Sequence, residues 1–297
     1  MRTIDQNQRP LASSSRAGRQ KRLPGIRHVI AVGSGKGGVG NSTVSVNLAC
    51  ALQQIGGRTG LVDADVLGPS IPGMLGLSTS QPPEVTGHRK IIPAERENLK
   101  VISMGMLTKN GAPAIRRGPI VSTYQNMFMA SVQWGNLDYL IVDLPPATDD
   151  TRLTLAQNFS LSGAIIVTTP QDVSLEIARR GLRMLENVPI LGIVDNMTTF
   201  TCRHCGQDTD VFRRGGGERM SWQLGVPFLG AVPLDADIAR SGDEGRPIVL
   251  EKPKSQAAEA YLAIATELVA RLDRVHAVEH LRALGGDRAG GKGAEDV

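Results

Sequence analysis

The sequence predicts an α/β protein of the doubly wound kind: a mostly parallel sheet with helices on both faces. Three observations carry that expectation. From Ile26 onward, short β-branched runs alternate with segments of helical periodicity. Apolar residues make up 41% of the chain but aromatic ones only 3%, so Val, Ile, Leu and Ala fill the interior, as in strands buried on both faces. The sharpest motifs fall directly after expected strands, where such sheets place their ligands. A chain of 297 residues fits one large domain or two small ones, and no repeat or second boundary is visible.

Taken in order, residues 28–33 read as the first strand and 42–55 as a helix, with Val44, Leu48, Ala51, Leu52 and Ile55 on one face. Strands follow at 59–63 and 99–104, a helix at 124–132, a strand at 139–143 and a helix at 151–157. Then come a strand at 164–168, a helix at 173–185, and strands at 190–195 and 226–232. Residues 196–217 interrupt this pattern with two cysteines and a triple glycine. A long helix over 255–284 closes the pattern, with Leu262, Ile264, Leu268, Leu272 and Val275 on one side for packing on the sheet. One domain is therefore expected over 25–284, with the cysteine insertion at 196–217, a disordered basic tail over 1–24 and a Gly-rich, fraying tail over 285–297.

Thirty-three Lys and Arg against twenty-nine Asp and Glu leave a net charge of +4. Part of the excess lies in the first 24 residues, where Arg2, Arg9, Arg16, Arg19, Lys21 and Arg22 face Asp5 alone. That stretch has no apolar core, so it does not read as a secretory signal. Its Arg and Ser content loosely resembles an organellar transit peptide, though without a clear amphipathic face. No apolar run approaches the ~18 residues of a membrane helix, so a soluble chain is expected. Three cysteines cannot all pair, which favours a reducing compartment, the cytoplasm, with metal or redox use of thiols.

After the first strand stands Gly33-Ser34-Gly35-Lys36-Gly37-Gly38-Val39-Gly40-Asn41-Ser42-Thr43. So many glycines let backbone N–H groups converge on an anion, and the following helix adds its positive N-terminus. The loop satisfies the dinucleotide fingerprint G-x-G-x-x-G. It also satisfies most of the P-loop pattern, except that Asn41 stands where that pattern has lysine. The P-loop reading gives Ser42 a role as Mg²⁺ ligand and uses the acids that end two later strands, Asp63-Ala64-Asp65 and Asp143-Leu144-Pro145-Pro146. A dinucleotide site could use Asp63 but leaves Ser42, Asp65 and Asp143 idle.

Cys202-x-x-Cys205 supplies half of a tetrathiolate site, and a symmetric dimer would bring two such pairs together. Spacing alone does not separate Zn²⁺, an iron–sulfur cluster and a redox disulfide. Cys50 falls among Leu48, Ala49 and Ala51 on the first helix and reads as a core thiol, while His28, His88, His276 and His280 show no metal-binding spacing.

Gly35-Lys36-Gly37-Gly38-Val39-Gly40 resembles the deviant Walker A loop of the MinD/ParA-type P-loop ATPases. With Asp63-Ala64-Asp65-Val66-Leu67-Gly68-Pro69-Ser70-Ile71-Pro72, Asp143-Leu144-Pro145-Pro146, Thr168-Thr169-Pro170-Gln171, Asp195-Asn196-Met197 and Cys202-Arg203-His204-Cys205, the chain is similar to the Mrp/ApbC/Nbp-type iron–sulfur cluster carriers over about residues 27–250. The resemblance implies ATP in the loop 35–43, with Lys36 reaching across a homodimer to the partner's phosphates and Thr43 touching phosphate. It implies Mg²⁺ held by Ser42, Asp63 and Asp143, attacking water positioned by Asp65, and adenine read by Asn196. Cys202 and Cys205, with their dimer mates, would hold a bridging [4Fe–4S] cluster for transfer to apo-proteins. Asn41 and Ala147 depart from the family pattern, and the missing lysine predicts weakened or absent hydrolysis with residual nucleotide binding. An inactive nucleotide-binding scaffold is the alternative. A positioning ATPase acting on nucleic acid or membrane is disfavoured by the cysteine pair and the acids of the last helix.

Overall fold

The computed structural model describes residues 20–65, 68–80, 82–88, 90–107, 118–145, 151–171, 188–210 and 215–286. The helix expected at 173–185, Ala147, Arg213, Arg214 and most of both tails lie outside these residues.

Eight strands form one sheet in the order β10-β7-β6-β1-β5-β2-β4-β3. They are β1 (Ile26–Ser34), β2 (Thr59–Asp63), β3 (Ala94–Arg96), β4 (Leu99–Ser103), β5 (Leu137–Asp143), β6 (Gly163–Thr168), β7 (Ile190–Asp195) and β10 (Phe228–Ala231). Two further short strands, β8 (Phe200–Thr201) and β9 (Asp208–Thr209), pair as a hairpin of their own. All pairings in the large sheet are parallel except β3 with β4. The mostly parallel architecture expected from the alternating pattern is therefore present.

The central strand β1 pairs with β5 on one side and β6 on the other, and its side chains alternate between the two faces. Ile30 and Val32 join Leu48, Leu52, Leu61 and Tyr261 beneath helices α1 (Asn41–Gln54) and α8 (Gln256–Gly286). Val29 and Ala31 join Phe128, Leu140 and Phe159 beneath α3 (Gly118–Ala130) and α4 (Thr151–Asn158). The remaining helices are α2 (Ile71–Met74), α5 (Gly216–Leu224), α6 (Ala236–Asp243) and α7 (Ile248–Glu251).

The differences from the expected elements have local causes. Strand β3, Ala-Glu-Arg, carries no β-branched residue to announce it. It exists because Glu97 (φ 49°) and Asn98 (φ 66°) make a two-residue turn with both φ positive, the twist that a hairpin needs. Helix α3 begins at Gly118 rather than 124. Strand β10 starts at Phe228 because Pro227 has no N–H to donate. The basic tail was expected to reach residue 24, but Lys21 is already tied down. Its N–H donates to the Asn158 carbonyl (2.8 Å), and its own carbonyl accepts from the Ser160 N–H (3.0 Å).

His28 shows a pairing that sequence spacing conceals. Its ring is 2% exposed, stacks on Tyr139 (5.8 Å between centroids) and meets His276 edge-on at 5.0 Å. Burial, with lesser help from His276 and Arg27 against Asp273 and Asp138, pushes its pKa down to about 4. A folded-state pKa below the unfolded one gives stability that is complete above about pH 6.5 and lost as pH falls through 4. For His28 this amounts to at most about 3 kcal/mol. Asp143 has the opposite sign. Its pKa is raised to about 6, so its contribution is present at low pH and lost as pH rises through 6. In denaturant titrations between pH 7 and 4, His28→Phe should therefore lose less stability on acidification than the parent; equal slopes would exclude this assignment.

Candidate functional site

The glycine loop links β1 to α1 above the carboxyl end of the sheet. Gly38 (φ 78°) and Gly40 (φ 82°) take left-handed backbone that turns the chain into the helix. Gly37 and Gly38 are exposed, whereas Val39 is buried at 1% and anchors the loop's back. A cleft of about 220 Å³ lies here, lined by Lys36, Gly37, Gly38, Gly40, Asn41, Ser42 and Thr43, and across from them by Asp65, Ser70 and Met74. The structure thus brings together most of the residues that the loop reading nominated. A Cβ on Gly40 would lie 2.4 Å from Asn196 Nδ2. Gly40→Ala should therefore lower stability by about 1–3 kcal/mol and loosen the loop, checked by thermal melting together with nucleotide titration.

Beneath the loop, β2 and β5 end in register, with Asp63 beside Asp143. Both are 1% exposed. Asp143 Oδ1 accepts from Asn41 Nδ2 (2.7 Å) and Ser45 Oγ (2.6 Å), and Oδ2 accepts from Ser42 Oγ (2.7 Å). Burial raises the Asp143 pKa to about 6 against these hydrogen bonds. Asp63 is pushed well above the usual carboxylate range, first by burial and then by the Asp143 charge.

Three expected site residues are placed differently from their nominated roles. Asp63, expected in the metal shell, does not line the cleft. Its oxygens accept from Ser103 Oγ (2.8 Å) and from the N–H groups of Ile71 (3.4 Å) and Asp65 (3.2 Å). It shapes the segment that presents Asp65. Asn41, expected to touch phosphate, has its amide nitrogen turned inward to Asp143, the Val32 carbonyl (3.2 Å) and the Leu144 carbonyl (3.2 Å). The amide is too short to clear these oxygens, as a lysine ammonium would. Asn196 is buried, and its Nδ2 donates to the Val39 carbonyl (2.9 Å), bracing the loop from behind.

The two cysteines stand apart from this cleft, on the β8–β9 hairpin. Cys202 N–H donates to the Gln207 carbonyl (2.9 Å) and Gly206 N–H to the Cys202 carbonyl (2.8 Å), which closes the turn. The N–H groups of Cys205 and His204 point at the Cys202 sulfur and hold its pKa below the usual thiol value. That is the arrangement a metal-binding thiolate needs, since the thiolate is the ligand. Cys205 is exposed and Cys202 partly so. Among the described residues no group of three or more His, Cys, Asp or Glu is placed to hold a metal ion. Two thiols are half of a tetrahedral set. Arg203, inside the turn, pairs with Asp235 and Asp237, both at 2.9 Å.

A family model described as ParA: NUBPL iron-transfer P-loop NTPase matches residues 25–269. The chain belongs to that family. Among its relatives, the iron-sulfur cluster carrier protein of Aquifex aeolicus is 45% identical over 252 residues, covering 84% of this chain and 69% of that protein. The iron-sulfur cluster transfer protein NUBPL of Mus musculus is 43% identical over 258 residues, covering 86% and 80%. Among solved structures, the nucleotide-binding protein of Archaeoglobus fulgidus in complex with ADP superposes with TM-score 0.69 at 34% identity, covering 80% of this chain and 92% of that one. The septum site-determining protein MinD of Pyrococcus horikoshii, complexed with Mg-ADP, superposes with TM-score 0.60 at 24% identity, covering 82% and 96%, and shares the fold.

In this NUBPL-family NTPase, sequence reasoning missed Ser45, Ser103 and Arg203. Ser45 lies four residues after Asn41, one helical turn, so both face the same carboxylate. That spacing was a readable signal. Ser103 and Arg203 meet partners 40 and about 30 residues away, for which the sequence offers none.

Proposed function

We propose that this iron–sulfur cluster carrier binds ATP in the loop 35–43 and, as a homodimer, holds a [4Fe–4S] cluster between two Cys202–Cys205 pairs for delivery to apo-proteins. The observation that carries the reading is the cysteine turn: one exposed and one partly exposed thiol, the latter already acidified by backbone N–H groups, with no group of three or more metal-ligating side chains placed to hold a metal ion among the described residues. A second copy supplies the missing pair. The reading sets the chain in a reducing compartment, the cytoplasm.

The nucleotide half rests on the cleft. Backbone N–H groups of the glycine loop and the α1 N-terminus would receive the phosphates. The donor set also fits Mg²⁺. Ser42 Oγ donates its proton to Asp143, which leaves its lone pairs for a cation in the cleft; Asp143 does not itself line the cleft, so it would act on that cation through Ser42 and water. When bound, Mg²⁺ neutralises phosphate charge. Asp65 lines the cleft and would orient the attacking water, and Lys36 would reach the partner's phosphates.

Anaerobic loading with iron and sulfide, followed by visible absorption and sizing, tests the cluster half. A coloured dimer supports it, and a colourless monomer overturns it. The second reading, a nucleotide-binding scaffold without turnover, is favoured by one observation, the inward-turned Asn41 amide. Steady-state phosphate release separates the two.

A further inference from the structure

The cysteine hairpin is fastened at two heights to one short segment. At its stem, Thr198 N–H and Oγ both donate to the Val232 carbonyl (3.0 Å each), and Leu234 N–H donates to the Thr199 carbonyl (3.0 Å). At its tip, Arg203 spans Asp235 and Asp237. Asp235 is the N-cap of α6, its side chain accepting from Asp237 N–H (2.9 Å). Lys252 holds the other oxygen of Asp237 at 2.6 Å. The tip therefore rides on the first turn of α6.

The far end of α6 meets α2, which borders the nucleotide cleft. After α6 the chain turns at Gly245, whose backbone lies against Gly76, just past α2. A Cβ on Gly245 would stand 2.5 Å from Gly76 Cα and 3.1 Å from the Gly73 carbonyl. This contact has no slack, so α2 cannot move toward α6 without moving it. Ser70 and Met74, at either end of α2, line the cleft, and the Ile71 N–H of α2 bonds to Asp63 behind it. A helix of eight residues spans about 12 Å as a stiff rod. Cleft, α2, Gly76–Gly245, α6, Asp235/Asp237, Arg203 and the cysteine turn thus form one unbroken line of contacts.

We propose that Arg203 is a positioning residue that couples occupancy of the nucleotide cleft to the hold of Cys202 and Cys205 on their cargo. This rests on the function proposed above. Filling the cleft displaces α2, α6 carries the displacement, and the Arg203 bridge transmits it to the turn. Without the guanidinium the hairpin keeps its stem and its thiols but loses the link at its tip. Because Arg203 is half-exposed, removing it leaves no buried charge behind.

The test compares cluster loss to an iron chelator, with and without MgATP, for the loaded protein and for Arg203→Ala, Arg203→Lys and Asp237→Asn. In the parent, nucleotide should change the rate by about fivefold or more, the scale of an ordinary coupling between sites. In Arg203→Ala the ratio should fall to near one, with cluster loading intact and nucleotide affinity within about twofold of the parent. Arg203→Lys should restore part of the ratio, and Asp237→Asn should weaken it. An unchanged ratio in Arg203→Ala overturns the proposal, as does a parent that binds both nucleotide and cluster with no effect of one on the other. Failure of the parent to bind nucleotide or to load cluster at all overturns the proposed function itself, and this inference with it.

Discussion

Substituting lysine for Asn41 is expected to tighten nucleoside triphosphate binding by roughly 10- to 100-fold and to raise phosphate release at least as much. The reason lies in the surroundings of the amide nitrogen. It sits among Asp143 Oδ1, the Val32 carbonyl and the Leu144 carbonyl, three acceptors facing a group with two hydrogens. A lysine ammonium brings three donors and a full charge, on a stem long enough to leave those oxygens for the β- and γ-phosphates. One charge-assisted contact is worth about 1.5–3 kcal/mol, which sets the expected range of affinity. The effect on turnover is larger because charge builds on the transferred phosphoryl group, where a fixed cation acts most strongly. The same cation beside Asp143 would also pull its raised pKa back down. Fluorescent-nucleotide titration and steady-state phosphate release read the two effects. Equal affinity in parent and Asn41→Lys would mean that the inward-turned amide does not limit the site.

Replacing Cys202 by alanine is expected to abolish cluster loading altogether. In a dimer it removes two of four thiolates, and in each chain it removes the sulfur toward which two backbone N–H groups point. What remains is a single exposed thiol per chain, too few ligands for a tetrahedral cluster or zinc site. The substitution lies on an exposed hairpin away from the core, so thermal stability and nucleotide affinity should stay near parental values. Iron and sulfide analysis after anaerobic loading, with zinc measured in parallel, checks the result. Retention of stoichiometric iron in Cys202→Ala would remove the cysteine turn from the function.

The sheet was legible because its signal is local. β2 and β7 fall on the expected residues, and the sharp motifs follow strands, as a parallel sheet requires. The glycine loop and the cysteine pair were legible for the same reason: their residues are consecutive. What the sequence hid is what folding brings together. Asp63 and Asp143 look alike as strand-ending acids, yet only Asp143 is joined to Asn41 and Ser42 of the loop, because Ser103 on the neighbouring strand claims Asp63. His28 and His276 are 248 positions apart in the chain and in ring contact in the fold. Arg203 stands in the cysteine motif, but its carboxylate partners, at the start of α6, lie more than 30 residues on and no local spacing announces them.

Cys50 has a practical use. Fully enclosed on the buried side of α1, its sulfhydryl is driven up to about 12 by burial, so at neutral pH it stays protonated and out of reach of alkylating reagents. The folded chain, freed of metal, should consume two equivalents of maleimide, and the third only when the protein opens globally. The polypeptide thus carries its own unfolding clock, readable by mass spectrometry without any engineered site, and stability differences among the variants above can be timed by the arrival of that last adduct.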